Sequence, residues 1–297
     1  MTAEATTLER GSQWADFLEL TKPRISLMVV LTTAAGFLLA ASRPLDWVLF
    51  WHALLGTALV ASGASALNQV VERHSDALMR RTANRPLPAG RLTVEKAFAF
   101  GVMISAVGVV YLAVLVNPLT AAVGALTLAS YVLVYTPLKR RTSLATLVGA
   151  IPGAAPPMMG CTAAIGELGF LAWILFAILF FWQMPHFLAI AWIYRRDYAR
   201  GGFPLLTTGR WPGARTARQM VLYSAALIPV SLLPSVVGIS GPAYFVGALV
   251  LGVFFLGFSL AFGKAQDARA ARHLLLASVL YLPVVLLLMV VDQALRQ

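Results

Sequence analysis

Asn68, Glu72 and Asp76 recur at four-residue intervals in the segment NQVVERHSDALMRRTANRP, residues 68–86. At 3.6 residues per turn this spacing stacks the three side chains along one helix face. Met79, Arg81, Thr82, Arg85 and Pro86 follow within the same segment. Mg2+ takes oxygen ligands, commonly one or two carboxylates plus phosphate oxygens of a substrate. Arginine grips phosphate oxygens with paired hydrogen bonds. An oxygen-bearing stripe followed by arginines therefore has the composition of a Mg2+–diphosphate site. The competing reading is a solvated helix end whose acids offset the neighbouring arginines.

A second polar stretch reads IYRRDYARGGFPLL. Asp197 is its one acid, set among Arg195, Arg196 and Arg200. Two readings stand. One is a basic collar at a membrane edge with a single compensating acid. The other pairs this loop with the first across one mouth. Asp197 then helps hold a second metal ion or orients a basic residue, while Arg196 and Tyr198 contact phosphate. Gly201 and Gly202 permit a tight closing loop. Just upstream, His186 interrupts an apolar run, with Gln183 three residues earlier on the same face. A polar group in hydrocarbon usually faces the bundle interior and is a candidate for function, but it also serves to bond neighbouring helices. Lys22 and Arg24 in LTKPRIS, and Lys139, Arg140 and Arg141 in YTPLKRRTS, read first as charges flanking spans. They share the face of the acidic motifs and can add positive charge there.

The elements that must position these residues are membrane spans. The chain is 59% hydrophobic and 12% charged, with a mean hydropathy of +0.79, against about 25% charged residues in soluble proteins. Runs of about 20 apolar residues are needed to cross a bilayer, and nine are present: 25–41, 48–67, 97–116, 119–137, 144–162, 168–192, 220–237, 243–262 and 273–291. The fifth carries Pro152, Pro156 and Pro157, so it is expected to be broken. All 23 Lys and Arg except Arg43 and Arg296 fall on one side of this arrangement. The positive-inside rule puts that side, with the N-terminus, in the cytoplasm. The expectation is an all-α integral membrane protein, a bundle of nine transmembrane helices. Residues 1–20 are expected as a cytoplasmic tail, 21–292 as the membrane domain and 293–297 as a short outer tail. The first 20 residues lack an apolar core and are rich in acids, unlike a targeting signal. A bacterial cytoplasmic membrane is the expected location. The single cysteine, Cys161, is expected to pack as a small apolar residue. The bilayer is the expected environment, and no nucleic-acid partner is expected.

With these residues in view, the chain resembles the protoheme IX farnesyltransferases, a branch of the intramembrane prenyltransferases. The resemblance spans roughly residues 20–292. It is carried by LTKPRI from Leu20, N-x-x-x-E-x-x-x-D-x-x-M-x-R-T-x-x-R-P from Asn68, YTPLKRRT from Tyr135, GAAPPMMG from Gly153, WQMPHF from Trp182 and DYARGGFPLL from Asp197. The first acidic motif marks the wider superfamily, and WQMPHF with the second loop marks the heme branch.

The resemblance implies a central cavity beneath two polar caps. It implies farnesyl transfer from farnesyl diphosphate to a vinyl group of heme b, with water addition, giving heme O. It further implies Mg2+ on Asn68, Glu72, Asp76 and Asp197, and diphosphate against Arg81, Arg85 and Lys139, with Arg140 beside them. Trp182, Gln183 and His186 are implied to face the heme. A heme A synthase or a terminal oxidase assembly protein is the implied recipient of the product. Glu72 stands where many members carry Asp, and Ala145 where many carry Asn. An aromatic quinone precursor as acceptor is the nearest alternative, and a transporter the more distant one. Transporters place ionisable groups near the midplane, whereas here they gather at one mouth.

Overall fold

The computed structural model describes residues 13–209 and 212–296, and every regular element among them is helical. Nine spans among them are long and apolar enough to cross a membrane, so the chain is a multi-pass membrane protein. A short helix α1 (Gln13–Leu20) precedes the first span, α2 (Pro23–Ala40). α3 (Trp47–Leu78) and α4 (Val94–Leu115) follow as a packed pair. The fourth span runs through α5 (Pro118–Ala129), a π-helical stretch Ser130–Tyr135 and a closing turn, α6 (Thr136–Leu138). The fifth is split into α7 (Ala145–Ala154) and α8 (Pro156–Ile165). α9 (Phe170–Ile193), the surface helix α10 (Arg195–Arg200), α11 (Pro212–Val236), α12 (Pro242–Ala265) and α13 (Ala268–Arg296) complete the bundle. α13 packs on α9 and α12 and also reaches α2, so the last span meets the first.

Local chemistry fixes several of these starts. Asp46 caps α3 by accepting from the Leu49 amide at 2.9 Å. Asn117 caps α5 by accepting from the Thr120 amide at 2.8 Å, with Pro118 in the first turn, where its missing N–H costs nothing. In lipid no hydrophobic drive presses one apolar helix on another, so close backbone approach matters more. α2 and α8 show this. A Cβ on Gly36 would sit 2.1 Å from the Pro157 carbonyl oxygen, and one on Gly160 2.0 Å from that of Thr33. Thr33 Oγ1 bonds the Pro156 carbonyl across the same contact at 3.1 Å. The break at Ala155 is thus covered by protein, the condition under which a broken span is tolerated.

Two terminal segments are helical. Residues 13–20, expected within a tail, form α1. Arg91 ties it down through Asp16 and Glu19, each at 2.6 Å, and Gln69 Nε2 donates to the Leu20 carbonyl at 3.0 Å. Residues 293–296, expected as a separate tail, continue α13. Residues 1–12 and 297 lie outside the described residues. The second span is also longer than its apolar run. α3 has 32 residues, about 48 Å at 1.5 Å per residue, against a hydrocarbon core of about 30 Å. Its last three turns carry the polar stripe beyond the apolar run.

Candidate active site

Asn68, Glu72 and Asp76 lie buried on those last turns of α3. Each meets a cation from a different element. Lys22 Nζ donates to Asn68 Oδ1 at 2.8 Å, Lys139 Nζ to Glu72 Oε1 at 3.1 Å, and Arg85 Nη1 to Asp76 Oδ2 at 2.7 Å. Asn68 Nδ2 donates to Thr136 Oγ1 at 3.2 Å, and Thr136 donates in turn to the Tyr131 carbonyl at 2.8 Å. That carbonyl belongs to the π-helical stretch, whose wider turn lies beside Pro137. Single-turn π segments are frequent at functional sites.

Lys22 reaches Asn68 from a strained position. A residue before proline is pushed out of the right-handed helical region, and Lys22 takes φ 49°, ψ 65°, in the left-handed region. For a non-glycine this costs about 1–3 kcal/mol. Burial, then repulsion from Arg85 and also Lys139, pushes the Lys22 ammonium down to about 7, against the pull of Glu72 and Asp76. The mouth is therefore crowded with positive charge, and an arriving anion relieves it. A cation of another kind also fits. Asp76 Oδ1 is buried with no hydrogen-bond partner among the described residues. Among the described residues, no three His, Cys, Asp or Glu side chains are drawn together there. Two carboxylates and an amide oxygen, completed by substrate oxygens and water, suit Mg2+ rather than a closed protein cage.

The two polar loops meet over this stripe. Met79, Tyr198, Phe203 and Leu205 form one small buried cluster. The Arg81 guanidinium lies 4.8 Å from the Tyr194 ring centre and 5.8 Å from that of Tyr198, whose hydroxyl it reaches at 3.4 Å. Lys139 Nζ lies 4.7 Å from the Phe203 ring centre. A Cβ at Gly201 would crowd Phe203 and Met79 at 3.0 and 3.1 Å, which explains the small residue at this turn.

The remaining expected site residues sit further out. Arg140 and Arg196 are exposed, and neither forms an ion pair among the described residues. Asp197 Oδ1 accepts from Arg200 at 3.2 Å, the arrangement of an acid orienting a base. Asp197 lines a surface cavity of about 410 Å³ with Arg80, Tyr194, Arg195, Arg196 and Arg200. Tyr194 is shared, lining this cavity as well as stacking with Arg81.

The WQMPHF segment lies in α9 and divides its duties. Gln183 is buried and donates to the Ala150 carbonyl of α7 at 2.7 Å. Gly153 makes room for it, since a Cβ there would meet Gln183 Oε1 at 2.3 Å. Trp182 turns to α13, where Nε1 donates to the Ser278 carbonyl at 2.8 Å. His186 stacks on Trp182, ring centres 5.0 Å apart and 26° from parallel, and its Nδ1 lies 2.7 Å from Ser278 Oγ. Sequence reasoning had no signal for Ser278, a lone serine in an apolar span. Thr136 and the π stretch were signalled only by Pro137, late in a helical pattern.

Residues 29–287 match the UbiA prenyltransferase family. The protoheme IX farnesyltransferase of Solibacter usitatus is 48% identical over 287 residues, covering 94% of this chain and 98% of that protein. The protoheme IX farnesyltransferase of Salinibacter ruber is 47% identical over 277 residues, covering 93% and 98%. Among solved structures, a digeranylgeranylglyceryl phosphate synthase superposes with a TM-score of 0.79 at 15% identity, covering 94% of this chain and 98% of that one. A UbiA homolog from Archaeoglobus fulgidus bound to DMAPP and Mg2+ does so with a TM-score of 0.66 at 13% identity, covering 94% and 99%. The fold follows from the structural likeness and the membership from the sequence: this chain belongs to the UbiA prenyltransferase family, on the branch of the protoheme IX farnesyltransferases.

Proposed function

We propose that this prenyltransferase transfers the farnesyl group of farnesyl diphosphate to a vinyl group of heme b, with addition of water, giving heme O and diphosphate. The names of its relatives support the pair of substrates. The observation that carries the site is the α3 stripe, where three oxygen-bearing side chains each hold a protein cation while Asp76 Oδ1 stays bare. Asn68, Glu72 and Asp76 would hold Mg2+, and a fold relative solved with DMAPP and Mg2+ supports that choice. When bound, Mg2+ neutralises the charge that develops on the departing diphosphate. Arg81, Arg85 and Lys139 complete that neutralisation from the protein side. Asp197 orients Arg200 at the rim, and its second oxygen, unbonded among the described residues, is open to a second ion. The basic face, and with it the N-terminus, is assigned to the cytoplasmic side of a bacterial inner membrane.

The chain's contribution to the chemistry is electrostatic. The bond between the allylic carbon and oxygen breaks, and its electron pair leaves with diphosphate. Arg81 and Lys139 are held beforehand by Tyr194, Tyr198 and Phe203. They need no reorganisation as charge develops, which is where such sites gain most. The vinyl π-electrons then form the new carbon–carbon bond. The cation left beside the porphyrin takes the oxygen of water and releases a proton. No protein nucleophile is required.

The test is a membrane assay with heme b or 4-hydroxybenzoate as acceptor, farnesyl diphosphate and Mg2+, read by mass spectrometry. A farnesylated, hydrated heme is expected. Farnesylated 4-hydroxybenzoate with no heme product would overturn the choice of acceptor.

A further inference from the structure

Ser278 is fully buried in α13, and both Trp182 and His186 of α9 are bonded to it. Its hydroxyl proton is already committed, since Ser278 Oγ donates to the Leu275 carbonyl at 2.6 Å. Toward His186 the oxygen then offers a lone pair, and the tautomer that satisfies both contacts carries its proton on His186 Nδ1. A neutral imidazole carries one N–H, so Nε2 keeps its lone pair. Nε2 has no hydrogen-bond partner among the described residues.

A role confined to joining helices does not account for this arrangement. The Trp182 indole already links α9 to α13 through the Ser278 carbonyl. It also stacks on the imidazole and fixes its plane. A bare nitrogen in an apolar span is costly unless something meets it. Fixing Nδ1–H on an acceptor so that Nε2 projects as a lone pair is the arrangement by which proteins present histidine to a metal. His186 is half-buried rather than sealed, and Phe187 beside it is 36% exposed, so the imidazole keeps an open side where α9 meets α13.

We infer that His186 Nε2 ligates the iron of the heme acceptor, and that Ser278 is the positioning residue that keeps this nitrogen unprotonated and aimed. The inference rests on the heme reading above. It deepens that reading by assigning an iron contact that holds the porphyrin while its vinyl group reacts. The iron belongs to the substrate and takes no part in bond-making to farnesyl.

The experiment compares heme b with metal-free protoporphyrin IX, which has the same vinyl and carboxylate groups, on full-length protein in lipid nanodiscs. Heme should bind measurably more tightly than the metal-free ring, with a histidine-ligated absorption and EPR spectrum. In His186→Ala that preference should vanish, and added imidazole should restore the spectrum, which a misfolded protein would not allow. Ser278→Ala should keep most of the binding but lower the iron–histidine stretching frequency, and Ser278→Thr should return it. An unchanged spectrum or an unchanged heme preference in His186→Ala overturns the inference. Product analysis on the same samples separates the two levels. Farnesylated heme from a protein with no histidine-ligated spectrum leaves the heme reading standing and removes the ligation. No farnesylated heme from wild type removes the reading itself.

Discussion

The mouth at the end of α3 and the contact of α9 with α13 around His186 solve opposite problems. At the mouth, Glu72 and Asp76 are almost wholly buried, yet cations crowd them: Lys139 and Arg85 by direct bonds, Lys22 on the neighbouring Asn68 and Arg81 on the loop above. Positive charge is in excess until an anion arrives. At that contact a lone imidazole is held by an indole and a serine, beside Phe187 and the α13 backbone. The first region suits a leaving group that gains charge, because preformed cations strengthen as charge develops. The second suits a flat apolar acceptor that must be held and aimed. On the proposed assignments the leaving group and the acceptor are held by different elements, and each region should be breakable alone.

The largest effect is expected from Asp76→Ala. It removes the carboxylate with the bare buried oxygen and strands Arg85. Loss of one such electrostatic contact typically lowers turnover about 100–1000-fold. Heme binding, read by absorption, should not move. A matching loss of heme binding would mean that the two regions are one site. Chelation of Mg2+ should have a similar effect without mutation, abolishing product and sparing the heme spectrum, with recovery on readdition. Arg81→Ala should come next. Its guanidinium lies over two tyrosine rings, a contact of about 0.5–2 kcal/mol. The KM for farnesyl diphosphate should rise roughly 2–30-fold at little change in the KM for heme. Arg81→Lys should recover only part, since ammonium cannot reproduce the planar stack.

The two regions also differ in how much of them the sequence displays. The α3 stripe is legible because its periodicity is that of a single helix, so Asn68, Glu72 and Asp76 need no tertiary information to share a face. The nine spans are legible for the same reason: apolar length is a local property. What completes each site is not local. Lys22 reads as a flanking charge until the strained turn before Pro23 delivers it to Asn68, 46 positions away. Ser278 lies 92 positions from His186, in a helix whose pattern gives a serine no distinction. Gln183 shares a face with His186 in sequence terms, yet α7 claims it through Ala150. The tail expectation for residues 13–20 lacked Arg91, whose bonds to Asp16 and Glu19 span more than 70 positions.

The finest test of the separation is Thr136→Val, which keeps the side-chain shape and removes the hydroxyl. Thr136 Oγ1 accepts from Asn68 Nδ2 and donates to the Tyr131 carbonyl. The substitution therefore leaves the Asn68 amide held only through Lys22 and a π-helical carbonyl short of one donor. A neutral hydrogen bond is worth about 0.5–1.5 kcal/mol net, so the expected change is roughly 2–10-fold. It should appear as a higher Mg2+ concentration for half-maximal rate, because Asn68 loses one of its two anchors while both carboxylates stay in place. Maximal rate at saturating Mg2+ should return close to wild type, and the heme spectrum should be unchanged. A fall in maximal rate that added Mg2+ cannot repair would place Thr136 in the structure of the span rather than in the aim of Asn68. The polar stripe would then depend on the π-helical stretch as a whole.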